Sequence, residues 1–417
     1  MKRTLVKKFG GTSLQDIKCI NRVAEIIKQD VNNNYKVVVV VSAMGKFTDN
    51  IISQIKQISD VKSQSECSEY DLIISSGEQI SCGLLSLALQ KIGVNAQSWL
   101  GWQLPIVTTE DHTKARIIDI NTRSLQDSLS NNDVAIVAGF QGMHKNNRVT
   151  TLGRGGSDTS AVAIAAALGI DLCYIYTDVN GIYTADPNVV PKARKLDYIT
   201  YDEMIEMSSL GAKVLQVRSV EIAMKYNIKL CILSTFNPGK GTILCKKGEL
   251  HMESQLITGI TCNNKTASVT LKEVKTLSGI TTVFNAIAEK NINVDMIIQN
   301  MNDNNANDIT FTISEEDLPT TTTFLTEIQT ELMYQNLIIN SEVAKISIIG
   351  VGMISHAGVA YKMFHTLTSN NIKILAVTTS EIKISVLIWR KDSQLATVAL
   401  HSTFGLDSTK SDPHAIS

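Results

Sequence analysis

The sequence predicts an α/β domain, three layers built on a mostly parallel sheet, followed by two small ferredoxin-like α+β modules. Three observations lead there. The chain has 417 residues, which divides into two to three domains at roughly 150 residues each, every one able to bury its own core. Up to about residue 245, short β-rich runs alternate with helical spacings, the pattern of a parallel sheet covered on both faces. Beyond that point the chain repeats itself: Phe284, Asn291 and Ile292 recur 80 positions on as Phe364, Asn371 and Ile372.

Taken in order, residues 5–9 form the first expected strand. Gly10-Gly11 then leads into a helix whose apolar positions are Leu14, Ile17, Ile20, Val23, Ile26 and Ile27. Ser13, with Asp16 three residues later, fits an N-cap, so the helix is expected directly after the glycine turn. Five consecutive valines, 37–41, suit a strand buried on both faces. Helical spacing returns at Ile51, Ile52, Ile55 and Ile58 and again over 72–89. Further strands are expected at 95–100, 134–140, 172–177 and 228–234, with helices at 157–168 and 212–226. The stretch 238–253, with Gly239, Gly241 and Gly248, breaks this rhythm and marks a domain boundary.

Around the repeat, β-rich 269–271 and 309–313 recur as 346–348 and 384–388, and 321–333 supplies a closing helix. Each unit therefore reads strand, helix, strand, strand, helix. The polar tract 302–307 is expected to be a mobile loop. Two such modules after an enzyme-sized domain suit a sensor pair or a dimerisation appendage.

With 39 Lys and Arg against 40 Asp and Glu, the net charge of -1 gives no global field to draw nucleic acid or anionic lipid. A hydrophobic share of 44%, a charged share of 19% and a mean hydropathy of +0.06 exclude a disordered chain. The longest nearly apolar run, 161–170, is about half of the ~20 residues a bilayer span needs, and the N-terminus lacks the apolar core of a secretory signal. Seven cysteines, widely spread and without a CxxC, read as buried small hydrophobes in a reducing cytoplasm.

Glycines sit where strands hand over to helices: Gly10-Gly11, Met44-Gly45, Ser76-Gly77, 139–142 and 153–156. In an open α/β sheet those strand ends line the ligand crevice, and helix N-termini there offer N–H groups to anions, so several together imply a phosphate-bearing ligand. None matches GxGxxG or GxxxxGK[ST], which removes the main support for a Rossmann dinucleotide site or a P-loop.

Lys8 to Ser13 (KFGGTS), Ser42 to Asp49 (SAMGKFTD), Ser76 to Ser81 (SGEQIS), Gly139 to Gly142 (GFQG), Leu152 to Ser160 (LGRGGSDTS) and Thr177 to Pro187 (TDVNGIYTADP) resemble, in order and at family spacing, the signatures of the aspartate kinases. The resemblance covers essentially the whole chain, since the paired modules are similar to the tandem ACT domains of the monofunctional members. It implies an amino-acid kinase domain over 1–250, a first ACT domain over 256–340 and a second over 341–417. It also implies that 256–262 pairs as a strand of the second. The implied reaction moves the γ-phosphoryl of ATP onto the β-carboxylate of L-aspartate, the first step toward lysine, threonine and methionine.

Residue chemistry agrees. Phosphoryl transfer is mostly positioning and charge neutralisation, so cations and backbone N–H groups should dominate. Lys8, beside Phe9, Gly10 and Gly11, is the candidate bridge to the phosphoryl group, unless it is a solvated strand-end lysine like Lys7. The acceptor carboxylate, with an ordinary pKa of about 3.9, is ionised already and needs no general base. Arg154 can fork onto a carboxylate, and the resemblance places it at the α-carboxylate. The resemblance makes Glu78 the substrate glutamate rather than a helix-surface acid. Asp158 becomes the acid that organises the lysine and the substrate ammonium, a role compatible with capping its own helix. Ser42, Thr48 and Ser157 offer hydroxyl and backbone contacts. Thr177, Asp178, Tyr183 and Asp186 resemble the adenine and ribose loop, with Lys213 as a second phosphate cation. Mg²⁺ is implied because ATP brings it, held by phosphates and water with no protein ligand assigned.

Departures from the family pattern fall at Phe47, Asn180, Asn188 and Gln216, and at Leu277-Ser278, where Pro-Gly is usual. Asp295 and Gln299 in the first module, and His356, Gly358, Val359, Ser380 and Glu381 in the second, resemble effector loops, with lysine or threonine as implied effectors and a homodimer or higher oligomer as the implied assembly. No dinucleotide domain follows the second module, so the fused dehydrogenase of bifunctional relatives is not expected. Two competing readings are a kinase for glutamate, acetylglutamate or a nucleoside monophosphate, and a catalytically silent amino-acid-binding regulator.

Overall fold

The computed structural model describes residues 2–209, 214–246, 256–275, 279–290, 292–301, 307–353, 356 and 358–407. Its contacts divide the chain into two units. The first holds Met1–Ile182, Lys195–Ser208 and Lys213–Met252, and the second holds Tyr183–Arg194, Ser209–Ala212 and Glu253–Ser417.

The N-terminal half runs β1 (Thr4–Phe9), α1 (Ile17–Asn32), β2 (Lys36–Val41), α2 (Phe47–Ile55), α3 (Gln64–Ile74), α4 (Ser76–Lys91), β3 (Ala96–Trp99), β4 (Ile106–Thr108), β5 (Ile117–Ile120), α5 (Arg123–Asn131), β6 (Val134–Ala138), β7 (Gln141–Met143), β8 (Val149–Thr151), α6 (Gly156–Ala167) and β9 (Leu172–Thr177). It closes with β10 (Tyr198–Thr200), α7 (Tyr201–Ser209), α8 (Val217–Tyr226), β11 (Lys229–Ser234) and β12 (Thr242–Cys245). Eight strands form one sheet in the order β10-β12-β11-β9-β1-β2-β6-β3, parallel except between β11 and β12. Four short strands, β5-β4-β7-β8, form a second sheet. The valines of β2 are fully buried: Val37, Val39 and Val41 pack with Ile20, Val23 and Ile27 of α1 and Leu85 and Leu89 of α4. Each such side chain contributes about 1.5–3 kcal/mol by leaving water. On the opposite face lies α6, whose residues from Gly156 to Ala165 are all buried.

Several boundaries differ from the sequence reading for local reasons. Helix α1 is capped by Asp16, whose carboxylate accepts from Cys19 N–H at 2.8 Å. Ser13 is no cap; it lies in a short 3₁₀ turn, and its hydroxyl meets that of Thr235 at 2.6 Å. The expected helix over 72–89 is two helices meeting at Ser75, with α3 opened by a capping box between Ser63 and Glu66. Strand β6 stops at Ala138: Gly139 N–H makes the last bond to β2, to Val41 O at 3.0 Å, and the chain then turns at Phe140, whose φ is +68°. Helix α8 starts only at Val217, after an extended Gln216. The short strands β4, β5, β7, β8, β10 and β12 were not legible, since three or four residues carry no period.

The second unit contains β13 (Gly259–Val274), α9 (Gly279–Glu289), β14 (Ile297–Met301), β15 (Asn307–Ser314), α10 (Leu318–Glu327), α11 (Gln329–Leu332), β16 (Asn336–Ile349), α12 (Val359–Ser369), β17 (Ile374–Thr379), β18 (Lys383–Trp389) and α13 (Ser393–Thr403). Its sheet is antiparallel throughout, in the order β14-β15-β13-β16-β18-β17. The 80-residue repeat is physical. Helices α9 and α12 have equal length, and Phe284 and Ile292 join one core while Phe364 and Ile372 join the other. Asn371 ends α12 with a φ of +57°, as asparagine tolerates; its counterpart Asn291 lies outside the described residues. The central strands are shared: Gly259 to Asn263 pairs with Lys345 to Ile349, and Ile260 packs with Ile346 and Ile348 in the second core. Most of the polar tract 302–307 lies outside the described residues.

Segment Tyr183–Arg194 belongs to this second unit. Ile260 N–H donates to Thr184 O at 2.7 Å, Thr184 Oγ1 lies 2.9 Å from His401 Nε2, and Arg194 Nε donates to Leu406 O at 2.9 Å. All seven cysteines are free; Cys67 and Cys262 are half-buried rather than buried, and burial pushes the Cys82 thiol up to about 12. Among the described residues one helical stretch, Gln64–Lys91, is long and apolar enough to cross a membrane, and half of it is buried inside the protein.

Candidate active site

The carboxyl ends of β1, β2, β6 and β9 are tied together by backbone hydrogen bonds. Ser42 N–H donates to Phe9 O at 3.1 Å, Gly10 N–H to Tyr176 O at 3.1 Å, and Gly45 N–H to Gly11 O at 3.0 Å. The Gly10 N–H is thus already engaged and does not face an anion. Phe9 stacks on Tyr176 with centroids 4.6 Å apart and serves as buried floor.

Above these ends opens a cavity of about 1250 Å³. Every residue that the sequence pointed to for catalysis or for aspartate lines it: Lys8, Ser42, Thr48, Glu78, Arg154, Ser157 and Asp158. They come from the ends of β1 and β2, from α2 and α4, from the β8–α6 turn and from the first turn of α6. Alternation along β1 sends neighbouring lysines to opposite faces. Lys8 meets Asp158, with Nζ 2.5 Å from Oδ1, and Lys7 pairs with Asp30 on the other side. Neither is a solvated strand-end lysine; both are at least nine-tenths buried.

Glu78 is 4% exposed, which rules out the helix-surface alternative. Its Oε1 accepts from Ala43 N–H at 3.0 Å, while Oε2 is buried without a hydrogen-bond partner. Burial pushes its carboxyl up to about 8, against a smaller downward pull from Ala43 N–H and Lys8. Arg154 is exposed into the cavity, and no carboxylate pairs with it among the described residues. Asp158 lies in the first turn of α6 and does not cap it; that place is taken by Gly155, whose φ of +67° a glycine adopts without strain.

Seven cationic side chains face four carboxyls around the cavity, a local excess of positive charge in a neutral chain. Lys56, Lys114, Arg116, Arg218 and Lys225 had no motif to announce them. Arg218 donates to Leu152 O at 3.0 Å and Ala115 O at 2.8 Å, and so braces the turn that carries Arg154.

The departures from the family pattern have local partners. Phe47 opens α2, Asn180 Oδ1 accepts from Asn237 Nδ2 at 3.0 Å, Asn188 donates twice to Asp186 Oδ1, and Gln216 packs over Gly155. Thr177 and Asp178 lie at the end of β9 outside the cavity lining, hydrogen-bonded to each other at 3.0 Å. Tyr183 and Asp186 belong to the second unit, and Lys213, like Leu277-Ser278, lies outside the described residues.

Of the effector candidates, Asp295 is ion-paired with the buried Lys345, Gln299 donates to Asn307 at 2.7 Å, and Val359 is buried. His356 Nδ1 sits 2.9 Å from Gly352 O, Gly358 precedes α12 with a φ of +97°, and Ser380 and the exposed Glu381 form the β17–β18 turn.

Close packing at Gly139 makes a direct prediction. A Cβ there would stand 2.9 Å from Val41 O and from Ser157 Cβ, so Gly139→Ala must push the start of α6 off the sheet. It is expected to cost about 1–3 kcal/mol of stability, measured by denaturant unfolding, and to lower kcat/KM.

Cations that converge where parallel strands end, with an exposed guanidinium and a buried acid in the same cavity, suit a kinase that phosphorylates an amino acid. A family model described as the amino acid kinase family matches residues 3–234, and an ACT domain model matches residues 346–404. An aspartate kinase of Stutzerimonas stutzeri is 46% identical over 405 residues, covering 97% of this chain and 98% of its own. Aspartokinase 2 of Bacillus subtilis is 44% identical over 404 residues, covering 96% and 98%. The structure of E. coli aspartokinase III with aspartate and ADP superposes with a TM-score of 0.80 at 25% identity, covering 96% of this chain and 99% of that one. The chain belongs to the amino acid kinase family and, within it, to the aspartate kinases. As such it is an ATP-dependent kinase.

Proposed function

We propose that this chain transfers the γ-phosphoryl group of ATP to the β-carboxylate of L-aspartate, giving 4-phospho-L-aspartate, and that the cavity at the ends of β1, β2 and β6 is where it does so. One observation carries the reading: Arg154 and the Oε2 of Glu78, neither paired among the described residues, share a cavity with the Lys8–Asp158 pair. Arg154 takes the α-carboxylate, Glu78 the ammonium, and Ser42, Thr48 and Ser157 complete the contacts. An oxygen of the β-carboxylate attacks the γ-phosphorus, the bond to the β,γ-bridging oxygen breaks, and ADP leaves. No proton moves, since the acceptor is already ionised. Lys8, held by Asp158 beside the N-terminus of α6, neutralises the charge on the transferring group.

Phe9, Gly10 and Gly11 are assigned to the nucleotide as the floor of its site, with the Gly10 N–H and the Phe9 and Gly11 carbonyls kept by the backbone, and Thr177, Asp178, Tyr183, Asp186 and Lys213 are assigned to the rest of ATP. Among the described residues no group of three or more His, Cys, Asp and Glu is placed to hold a metal. Mg²⁺ is assigned to the phosphates of ATP, which bring it and with water would hold it, and it would supply further charge neutralisation. The kinase domain is assigned to 1–250 and the ACT domains to 256–340 and 341–417, with 256–262 given to the second. Asp295, Gln299, His356, Gly358, Val359, Ser380 and Glu381 are assigned to effector binding by lysine or threonine in a cytoplasmic homodimer or higher oligomer. The lysine assignment draws on a structure of E. coli aspartokinase III with lysine and aspartate, 25% identical with a TM-score of 0.73. At Asp295 an entering ammonium has to displace Lys345.

ADP release with aspartate, glutamate, acetylglutamate and a nucleoside monophosphate as acceptors tests the reading. Aspartate is expected to be turned over at the highest kcat/KM. A better acceptor among the others would assign a different substrate, and folded protein inactive with all four would leave the regulator reading.

A further inference from the structure

Asp71 is a carboxylate with no solvent exposure near the end of α3, followed directly by Leu72, Ile73 and Ile74. Three donors and the ring of His112 converge on it. His112 Nδ1 lies 2.8 Å from Oδ2, and the Thr113 N–H donates to Oδ1 at 3.1 Å and Oδ2 at 3.0 Å. Thr151 gives its N–H to Oδ2 at 3.0 Å and its hydroxyl to Oδ1 at 2.6 Å. Both oxygens therefore act only as acceptors, which a carboxylate can do and an amide cannot: an asparagine would turn its NH₂ toward a donor in either orientation.

The groups held this way are not ordinary loop residues. Thr113 has a φ of +68°, a left-handed conformation that is strained for a β-branched side chain and persists only where its surroundings over-determine it. Its carbonyl oxygen presses on Gly153, 3.1 Å from where a Cβ would stand. Ala115 N–H donates to Thr151 O at 3.0 Å, which ties the same two loops a second time. Arg154 is the next residue after Gly153, and Thr113, Thr151 and Arg154 all face the cavity.

We propose that Asp71 is a positioning residue for the reaction: it locks the strained Thr113 against Gly153 and pins the end of β8, and thereby fixes the direction in which Arg154 enters the cavity. It touches neither substrate. The inference rests on the reading of Arg154 as the group that takes the α-carboxylate of aspartate.

Steady-state kinetics of the full chain tests it, together with amide hydrogen exchange. In Asp71→Asn the KM for aspartate is expected to rise about tenfold or more, the scale of one lost charged hydrogen bond, while the KM for ATP changes by less than about twofold. Thr151→Val should raise the aspartate KM by a smaller factor, and Thr151→Ser, which keeps both donors, should restore it. Exchange should quicken at Thr113 and over 151–154 in Asp71→Asn and stay unchanged in β1 and β2. An unchanged aspartate KM, an equal rise in both KM values, or faster exchange throughout the sheet would each overturn the proposal. Should Asp71→Asn fail to fold, Thr151→Val against Thr151→Ser carries the same comparison. If the wild-type protein turns over no aspartate, the reading of Arg154 fails, and the exchange data still decide whether Asp71 holds the loop.

Discussion

Replacing Lys8 with methionine is expected to lower kcat by about a thousandfold, the scale seen when one preorganised charge is removed from a transferring group. The KM for aspartate should change little, because Lys8 faces the phosphoryl group and not the amino acid. The substitution also leaves Asp158 buried and unpaired. Both side chains of the pair are about nine-tenths buried, so its loss should cost on the order of 3 kcal/mol of stability. A double replacement separates the two effects. Lys8→Met with Asp158→Asn removes the orphaned charge and should recover most of the lost stability in denaturant unfolding, while kcat stays low. Recovery of kcat in the double variant would mean that Lys8 serves the fold and not the reaction.

Glu78→Gln is expected to raise the KM for aspartate by about a hundredfold, because an uncharged amide replaces the carboxylate assigned to the substrate ammonium. The same change should stabilise the protein at alkaline pH. The Glu78 carboxyl sits at about 8 in the folded chain against an ordinary 4.5, so the folded state holds a proton that the unfolded state has released. Stability contributed by the neutral form is full below about pH 4.5 and is lost as pH rises toward 8. Glu78→Gln has no such dependence, so its unfolding free energy should gain on that of the wild type across this window. In activity the sign is opposite. Only the ionised carboxylate attracts the ammonium, so kcat/KM for aspartate in the wild type should climb with pH toward an inflection near 8, and that rise should be absent in the variant. Parallel pH profiles for the two proteins would show that Glu78 does not titrate where its burial puts it.

The sheet was legible because its strands are extreme. Five valines in a row have no amphipathic alternative, and β1, β2, β6 and β9 matched their expected positions to within two residues. The repeat was legible because Phe284 and Phe364 perform the same packing in two cores. The cavity was legible through its glycine-rich turns. What stayed hidden was whatever acts across sequence distance. Asp71 falls just outside the helix expected over 72–89 and is one acid among many until folding brings His112, Thr113 and Thr151 to it from 41 to 80 positions away. Arg218 reads as a helix cation until its guanidinium meets two carbonyls of the substrate-side loops. Ser13 was misread as a cap because a 3₁₀ turn intervenes before α1, a detail decided by the Thr235 contact and by Asp16 being the better placed acceptor. Lys7 was underestimated because burial of a strand-end lysine depends on an acid, Asp30, that only the fold supplies.

Trapping the product with hydroxylamine reads directly whether the phosphoryl group ends on a carboxylate of aspartate. An acyl phosphate reacts to a hydroxamate and a phosphate ester does not. Hydroxamate is expected to form only with both ATP and aspartate, to match ADP release in amount and to disappear in Lys8→Met. ADP release from the folded wild-type protein with no hydroxamate in the presence of aspartate would contradict transfer to that carboxylate.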